Sequence, residues 1–598
     1  MTTFNKIFSL ILILAVSFQI SAQKSILQEE NNQYKKYQFK TEKEWDEFNR
    51  FRPTKNKTLY GTENTDLTKI VFGWNPYWMG TAYQDFNFSL LSDVSYFSYE
   101  VDPNTGLPAD LHYWKTTELV DYAHNNNCKV SLTITLFSGH ATFFSSTDSK
   151  QALIDTVIKL IQYRNADGVN LDIEAVPADQ KDPMTAFVQN FCEQFHNAFP
   201  EGQVSLDLPA VNWDEKFDVA QMKNFVDLFL IMGYDYHWSS SDQAGPVAPK
   251  NNGEIWSAYD VTRSVNYYLE KGIPPEKLAL AVPYYGRDWS TSSSSVPSST
   301  TGSSESKTYK TVREEMESYQ HYWDMNASVP YITYQDGGSW HQCWFDNEYS
   351  LADKYDLVKM KNLAGIGIWA LGYDGAYTNL WDMLSEKFRI DGAKLGYGIF
   401  TDMGGPRGDY FNNDNYIFTI APIGATQIKL YFDEFSTIGD EDILTIYDGD
   451  TTSGSIIAEF SGNLNITDTI TANSGIMTFH FVSNSTDVSS GWYARWANNE
   501  YFLSTEEEKL SNIQNFTVFP NPVKNQLFLE LETINTEELT ITINDISGAI
   551  IAEKTIKIHQ GKNTLDISNL IDYLKTGNYF ISINNSLYKI TKKILIIK

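Results

Sequence analysis

Eight short apolar runs, separated by longer amphipathic stretches, recur between Ile70 and Ala370 of this 598-residue chain. They are Ile70 to Trp74, Val94 to Tyr99, Val130 to Leu136, Gly168 to Glu174, Val204 to Leu208, Leu228 to Gly233, Leu278 to Val282 and Gly365 to Ala370. Runs this short and this apolar read as strands covered on both faces, which is the signature of a parallel sheet. Helical periodicity falls between them, as in Thr116 to Asn125, Lys150 to Tyr163, Pro183 to Ala198 and Asp260 to Lys271. The alternation predicts an α/β chain built on a (β/α)8 TIM barrel. An open doubly wound sheet is the structural alternative, but no Gly-rich phosphate turn follows the first run.

The fourth run carries the chemistry. Ala166-Asp167-Gly168-Val169-Asn170-Leu171-Asp172-Ile173-Glu174 alternates at strand period, so Asn170, Asp172 and Glu174 share one face and Val169, Leu171 and Ile173 the other. Two carboxylates side by side in a core are costly, and close like charges push one pKa upward. A raised pKa on a Glu at a strand end is what a general acid for glycosidic cleavage requires. In such a barrel the active site lies at the C-terminal ends of the strands. Polar and aromatic residues collect there: Asn75, Tyr77 and Trp78 after the first run, Glu174 closing the fourth, and Tyr234 and Asp235 after the sixth. Tyr285 follows the seventh and Trp369 closes the eighth.

The formal net charge of −29 argues against a nucleic-acid or anionic-membrane partner, since those surfaces need clustered Lys and Arg. The N-terminus reads as a signal peptide over residues 1–22, with Lys6 ahead of an apolar stretch from Ile7 to Ile20 and Ser21-Ala22 before the cut. No later run is long enough for a membrane span, so no span is expected in the mature chain. Three cysteines, Cys128, Cys192 and Cys343, give neither a disulfide framework nor a zinc pattern, and no metal or cofactor is expected.

Residues 23–65 are rich in Lys, Glu, Asn and Gln and predict a mobile leader or a surface helix over Glu42 to Phe51. The barrel is assigned to residues 66–394. The Ser/Thr/Gly-rich stretch Ser290 to Lys307 leaves the seventh strand as a tolerated insertion or a flexible rim loop. Helical periodicity stops near Gly396, and short runs split by turn residues predict a β-sandwich over 396–499. Residues 500–515, with Glu506-Glu507-Glu508, read as a solvated linker, and 516–598 as a third, all-β unit.

Asp167 to Glu174 resembles the strand-four motif of glycoside hydrolase family 18, the chitinases and endo-β-N-acetylglucosaminidases. Met232-Gly233-Tyr234-Asp235, Val282-Pro283-Tyr284-Tyr285-Gly286-Arg287 and Gly365-Ile366-Gly367-Ile368-Trp369 resemble its motifs on strands six, seven and eight. The resemblance implies a secreted hydrolase of β-1,4-linked N-acetylglucosamine polymers, chitin or its oligosaccharides. Glu174 is then the acid, and the 2-acetamido oxygen of the sugar is the nucleophile in a retaining, substrate-assisted reaction. Asp172 would orient that group, Tyr234 and Asp235 would hold it, and Trp369 would floor the sugar. Asn170, Tyr285, Tyr77 and Trp78 would line the substrate. Asn170 stands where the strictest pattern has a third Asp, as in a subset with spore-cortex and cell-wall glycosidases, and its neutral side chain predicts an Asp172 that ionises more readily. The family also implies two alternatives: cleavage of peptidoglycan or N-glycan cores, and a non-catalytic carbohydrate-binding protein. Residues 396–499 resemble a CUB domain without its usual cysteines or two of its calcium-binding acids. Residues 516–598 resemble a type IX secretion sorting domain, with Phe519-Pro520-Asn521-Pro522 and Gly577-Asn578-Tyr579-Phe580. That implies secretion-machinery contact and an extracellular or cell-surface destination.

Overall fold

The computed structural model describes residues 24–53 and 66–597, apart from residues 254, 257, 317, 320, 391, 394–395, 499–512, 521–522, 534–536, 545–549, 572–573, 576 and 585–588. The expected signal peptide and most of the expected linker therefore lie outside the described residues.

Each of the eight apolar runs is a strand: β1 (Ile70–Pro76), β2 (Asp93–Val101), β3 (Lys129–Leu136), β4 (Gly168–Ile173), β5 (Gln203–Pro209), β6 (Leu228–Met232), β7 (Leu278–Pro283) and β8 (Gly365–Trp369). They pair in parallel in chain order, and β1 pairs with both β2 and β8, so the sheet closes on itself. Closure leaves no edge strand and covers both faces, which is why these runs are apolar almost throughout. Gly168 opens β4 where a Cβ would stand 2.5 Å from the Gln203 carbonyl oxygen, so the close approach to β5 requires a glycine there. Helices Thr147–Arg164 and Lys181–Ala198 flank β4 on the outside. The first starts at Ser146, whose hydroxyl accepts from the Ser149 amide, and stops at Asn165 in the left-handed region. Val169, Leu171 and Ile173 pack outward among these helices, which turns Asn170 and Asp172 into the barrel.

Two sequence expectations change. Tyr285–Thr291 and Glu305–Thr308, flanking the Ser/Thr-rich stretch, are strands of a five-stranded antiparallel sheet completed by Ser339–Trp344, Val329–Asp336 and His321–Asp324. The polar stretch is thus a hairpin connection in an inserted β-layer beside the barrel mouth. In the leader, the surface helix expected over Glu42 to Phe51 is present as Glu42–Phe48, whereas the segment ahead of it is an ordered helix and not a mobile tail. Helix α1 (Ile26–Lys35) lies in the mouth of the barrel, and helix α2 (Glu42–Phe48) packs on the rim through fully buried Trp45.

Beyond the barrel, two four-stranded antiparallel sheets form a sandwich. Phe400, Phe479, Phe481 and Trp492 pack together in its core. A three-stranded and a four-stranded sheet form the C-terminal unit, whose apolar core, including Leu529, Ile541, Ile581 and Ile594, is separate from that of the barrel. All three cysteines are buried free thiols.

Candidate active site

The inward polar side chains of β4 and β5 meet inside the barrel. Asn170 is fully buried and uses both ends of its carboxamide. Its oxygen accepts from Trp74 Nε1 (2.8 Å) and Thr133 Oγ1 (3.1 Å), and its nitrogen donates to Ser205 Oγ (3.1 Å) and Asp207 Oδ1 (2.8 Å). This is complete satisfaction of a buried amide, and it fixes which end is which. Asp172 is also fully buried, and neither of its oxygens accepts a hydrogen bond from a described group. Burial first, then the charges of Glu174 and Asp207, push its pKa well above the ordinary carboxylate range. Burial thus favours its protonated form, which can donate to Glu174. The Glu174 carboxyl is pushed up to about 7, chiefly by burial, with Ser25 and Asp172 hydrogen bonds working in the opposite direction.

Asp207 escaped the sequence reading. It is buried on β5 with its pKa well raised by burial. Its signal was available, because Ser205 and Asp207 alternate on one strand face just as Asn170 and Asp172 do. Asp207 also corrects the expectation that Asn170 leaves Asp172 readily ionised. The carboxylate missing at 170 is present one strand over, so the repulsion persists.

Past the end of β6, Tyr234 is buried with its hydroxyl unpartnered, near Asp207, Glu174 and Asp172, whose charges add to burial in raising its pKa. Asp235, in the left-handed region, accepts from Tyr285 Oη (2.7 Å) and from Arg287 through Nε (2.8 Å) and Nη2 (3.0 Å). The two-pronged guanidinium contact locks that carboxylate in plane. Arg287, within the strand-seven motif, is fully buried. Trp369, at the end of β8, packs against Phe97, Trp74 and Trp78 with ring centroids 5.0, 6.1 and 6.2 Å away. Trp78 donates to Tyr373 Oη (3.1 Å), a further mouth residue that was not singled out. Tyr77 turns to the rim, stacked 3.5 Å from His112 and edge-on to Trp45. The structure thus gathers Asn170, Asp172, Glu174, Tyr234, Asp235, Tyr285, Trp78 and Trp369 at the mouth and sets Tyr77 at its border.

Among the described residues, no group of three or more His, Cys, Asp or Glu side chains is arranged to hold a metal ion. In the sandwich, Asp442 Oδ1 accepts from the Asn484 amide, and its other oxygen accepts from Tyr410 Oη.

A closed parallel barrel with a buried acid pair and tryptophans at the C-terminal mouth defines a glycosidase-type α/β barrel. The chain belongs to the glycosyl hydrolases family 18, whose pattern matches residues 24–374. A CUB domain follows at 393–496 and a secretion system C-terminal sorting domain at 517–598. The sorting domain implies secretion or export to the cell surface. The chain is 27% identical over 310 residues to Di-N-acetylchitobiase of Homo sapiens, covering 45% of this chain and 76% of the relative. It is 27% identical over 337 residues to Chitotriosidase-1 of Mus musculus, covering 48% and 71%. A family 18 N-acetylglucosaminidase structure from Paenibacillus barengoltzii aligns with 19% identity and a TM-score of 0.48 over 53% of this chain and 99% of that one.

Proposed function

We propose that this protein hydrolyses β-1,4-linked N-acetylglucosamine polymers of the chitin type with retention, using the substrate's own acetamido group as nucleophile. The observation that carries the reading is the Asp172–Glu174 pair, two acids two residues apart on one strand face with both pKa values raised. A Glu whose pKa is pushed up to about 7 is protonated in about half the molecules at neutral pH, against very few for an ordinary carboxyl, and can deliver that proton to a glycosidic oxygen. Once it has done so, the proton on Asp172 can move toward the Glu174 carboxylate, freeing Asp172 to take up the developing charge on the acetamido N–H. Tyr234 presents an unpartnered hydroxyl toward the same space, suited to an acetamido oxygen, and Arg287 keeps Asp235 in position through two hydrogen bonds. Trp369 supplies a flat apolar floor for the sugar face. The two acids come from one strand, and the carboxylate across the mouth, Asp235, is taken up by Tyr285 and both prongs of Arg287; that favours the assisted route over the two-carboxylate one.

The test is Glu174→Gln, which keeps size and polarity but removes the acidic proton. Turnover of N-acetylglucosamine oligomers should fall by at least about a thousandfold, the upper part of the range for general acid catalysis. Unfolding behaviour should stay near that of the wild type. Turnover within tenfold of the wild type would refute the assignment.

A further inference from the structure

The mouth of the barrel is filled by the protein's own N-terminal segment. Helix α1 follows Ser25, whose hydroxyl caps it by accepting from the Gln28 amide. The same hydroxyl donates to Glu174 Oε1 (2.8 Å), and Gln28 Nε2 donates to Glu174 Oε2 (3.2 Å). Both oxygens of the acid are therefore engaged by α1. The amide of Ile26 donates to Asp235 Oδ2 (2.9 Å). Glu30 accepts from Trp369 Nε1 (3.1 Å) and Tyr373 Oη (2.7 Å), and Glu29 pairs with Arg287 Nη1 (2.9 Å) and Ser239. Tyr34 stacks on Trp78 at 5.0 Å and 21°, the arrangement expected of a flat ligand on an indole face. Under this cover Trp369 and Trp78 are 0% and 1% exposed, which leaves neither ring available to a sugar.

The composition of α1 fits a ligand better than it fits a structural helix. Ile26, Leu27, Gln28, Glu30 and Asn31 are all buried, although three of the five are polar. A helix that only completed a core would present apolar side chains there. Here Ser25, Gln28, Glu29 and Glu30 each meet polar groups of the site, Gln28 through a carboxamide, the functional group of the substrate's acetamido arm, while Asn31 donates to Glu100 and its own oxygen stays without a partner among the described residues. Outside the mouth the strap is anchored independently. In α2, Asp46 accepts from the Thr81 amide (2.7 Å) and hydroxyl (2.9 Å), Asn49 donates to the Trp78 carbonyl, and Trp45 Nε1 donates to Tyr113 Oη (3.1 Å). This rim anchor holds α1 at high effective concentration over the site, so that it can lift and return without leaving the molecule.

We propose that residues 25–35 are an intramolecular inhibitor that occupies the sugar-binding mouth, so that the enzyme is delivered in a blocked form and works only when α1 is displaced. The proposal rests on the hydrolase reading above. The occupied groups are the ones that reading assigns to the reaction, and a polysaccharide strand and α1 cannot share them. Removal of the segment after export, or competition by a long substrate engaging the outer rim, would unblock the site.

The test uses the full chain. Wild type is compared with Gln28→Glu, which sets a carboxylate against Glu174, and with Glu29→Lys, which removes the ion-pair partner of Arg287 and puts a cation in its place. Hydrogen exchange of residues 26–35 reports displacement, calorimetry with the N-acetylglucosamine tetramer reports access, and hydrolysis of the tetramer reports rate. We expect strong protection, weak tetramer binding and slow hydrolysis in wild type. At least one variant should lose protection, bind at least tenfold more tightly and turn over at least tenfold faster. A synthetic peptide of residues 24–51 added to that variant should inhibit competitively. Tight tetramer binding by wild type while α1 remains protected would overturn the proposal, as would an unchanged rate in a variant whose helix is exposed. The two readings separate cleanly. Tighter binding in the variants without hydrolysis sinks the hydrolase reading and leaves the plug, whereas hydrolysis as fast in wild type as in a variant whose helix is exposed sinks the plug and leaves the hydrolase.

Discussion

Asn170→Asp tests whether the buried polar layer of the barrel works as described. The wild-type carboxamide donates to Asp207 and Ser205 and accepts from Trp74 and Thr133, with no exposure to solvent. A carboxyl at this position keeps the two accepted bonds but can donate only one, and only while protonated. Ionised, it would face Asp207 across what is now a 2.8 Å hydrogen bond, with Asp172 two residues along the same strand. The folded protein must therefore keep the new carboxyl protonated, raising its pKa above the unfolded value of about 3.9. Below that pH the group is protonated in both states, and the cost is one lost hydrogen bond, about 1–3 kcal/mol. Above it the unfolded chain releases a proton that the folded chain retains, so stability falls by about 1.4 kcal/mol per pH unit. By pH 7 the added penalty approaches about 4 kcal/mol, a ceiling that relaxation of the site would lower. Urea unfolding of both proteins at pH 4, 5, 6 and 7, followed by tryptophan fluorescence, gives the difference directly. The pH–rate profile should shift as well, because Glu174 lies in the field of the same layer. A stability gap that is the same at pH 4 and pH 7, with superimposable rate profiles, would refute the reasoning.

Two further outcomes follow from the same structure. Glu30 is buried against Trp369, Tyr373, Arg287, Asp235 and its helix neighbour Tyr34, and burial above all pushes its carboxyl up to about 8. Docking of α1 takes up a proton between about pH 4.5 and 8, so protection of residues 26–35 from exchange should be greatest in acid and weaken as pH rises through that window, with Glu30→Gln flattening the dependence. Deleting residues 500–598 should leave the hydrolysis rate of the barrel unchanged, because the C-terminal core is separate, while abolishing surface delivery in the native host; normal export of the truncated chain would sink the sorting role.

The barrel was legible because its strands must be apolar on both faces and its helices on one, so each period stands out without reference to distant residues. The polar face of β4, to which we assign the reaction, was legible for the opposite reason: Asn170, Asp172 and Glu174 violate that rule on alternate positions of an otherwise apolar strand. Asp207 breaks the same rule on β5, but a single carboxylate between Leu206 and Leu208 is a weaker local signal than three polar residues in register. Its importance arises only when β5 lies beside β4 and its oxygen meets the Asn170 amide. Arg287 depends even more on the fold. It acts through Asp235, 52 residues earlier, and nothing on its own strand marks that partner.

The first part of the leader, α1, was misjudged because composition measures fitness for water, and α1 is written for a site that imitates water. A helix of Gln, Glu, Asn, Tyr and Lys reads as solvated when its partner is taken to be solvent or an apolar core. The mouth of this barrel is neither of these. It offers donors, acceptors and aromatic faces, and Ser25, Gln28, Glu30 and Tyr34 meet those groups in turn. A polar segment can therefore be buried without an apolar face wherever the cavity it enters is already polar, provided each buried group finds its partner. The binding is not without cost. The docked helix adds the Glu29 and Glu30 carboxyls to a site that already holds Asp172, Glu174, Asp207 and Asp235, with Arg287 the cation facing them. A segment held by many individually satisfied hydrogen bonds, yet carrying acids into an acidic site, is strong enough to exclude weak ligands and poised to yield when a charge or a long substrate changes the balance.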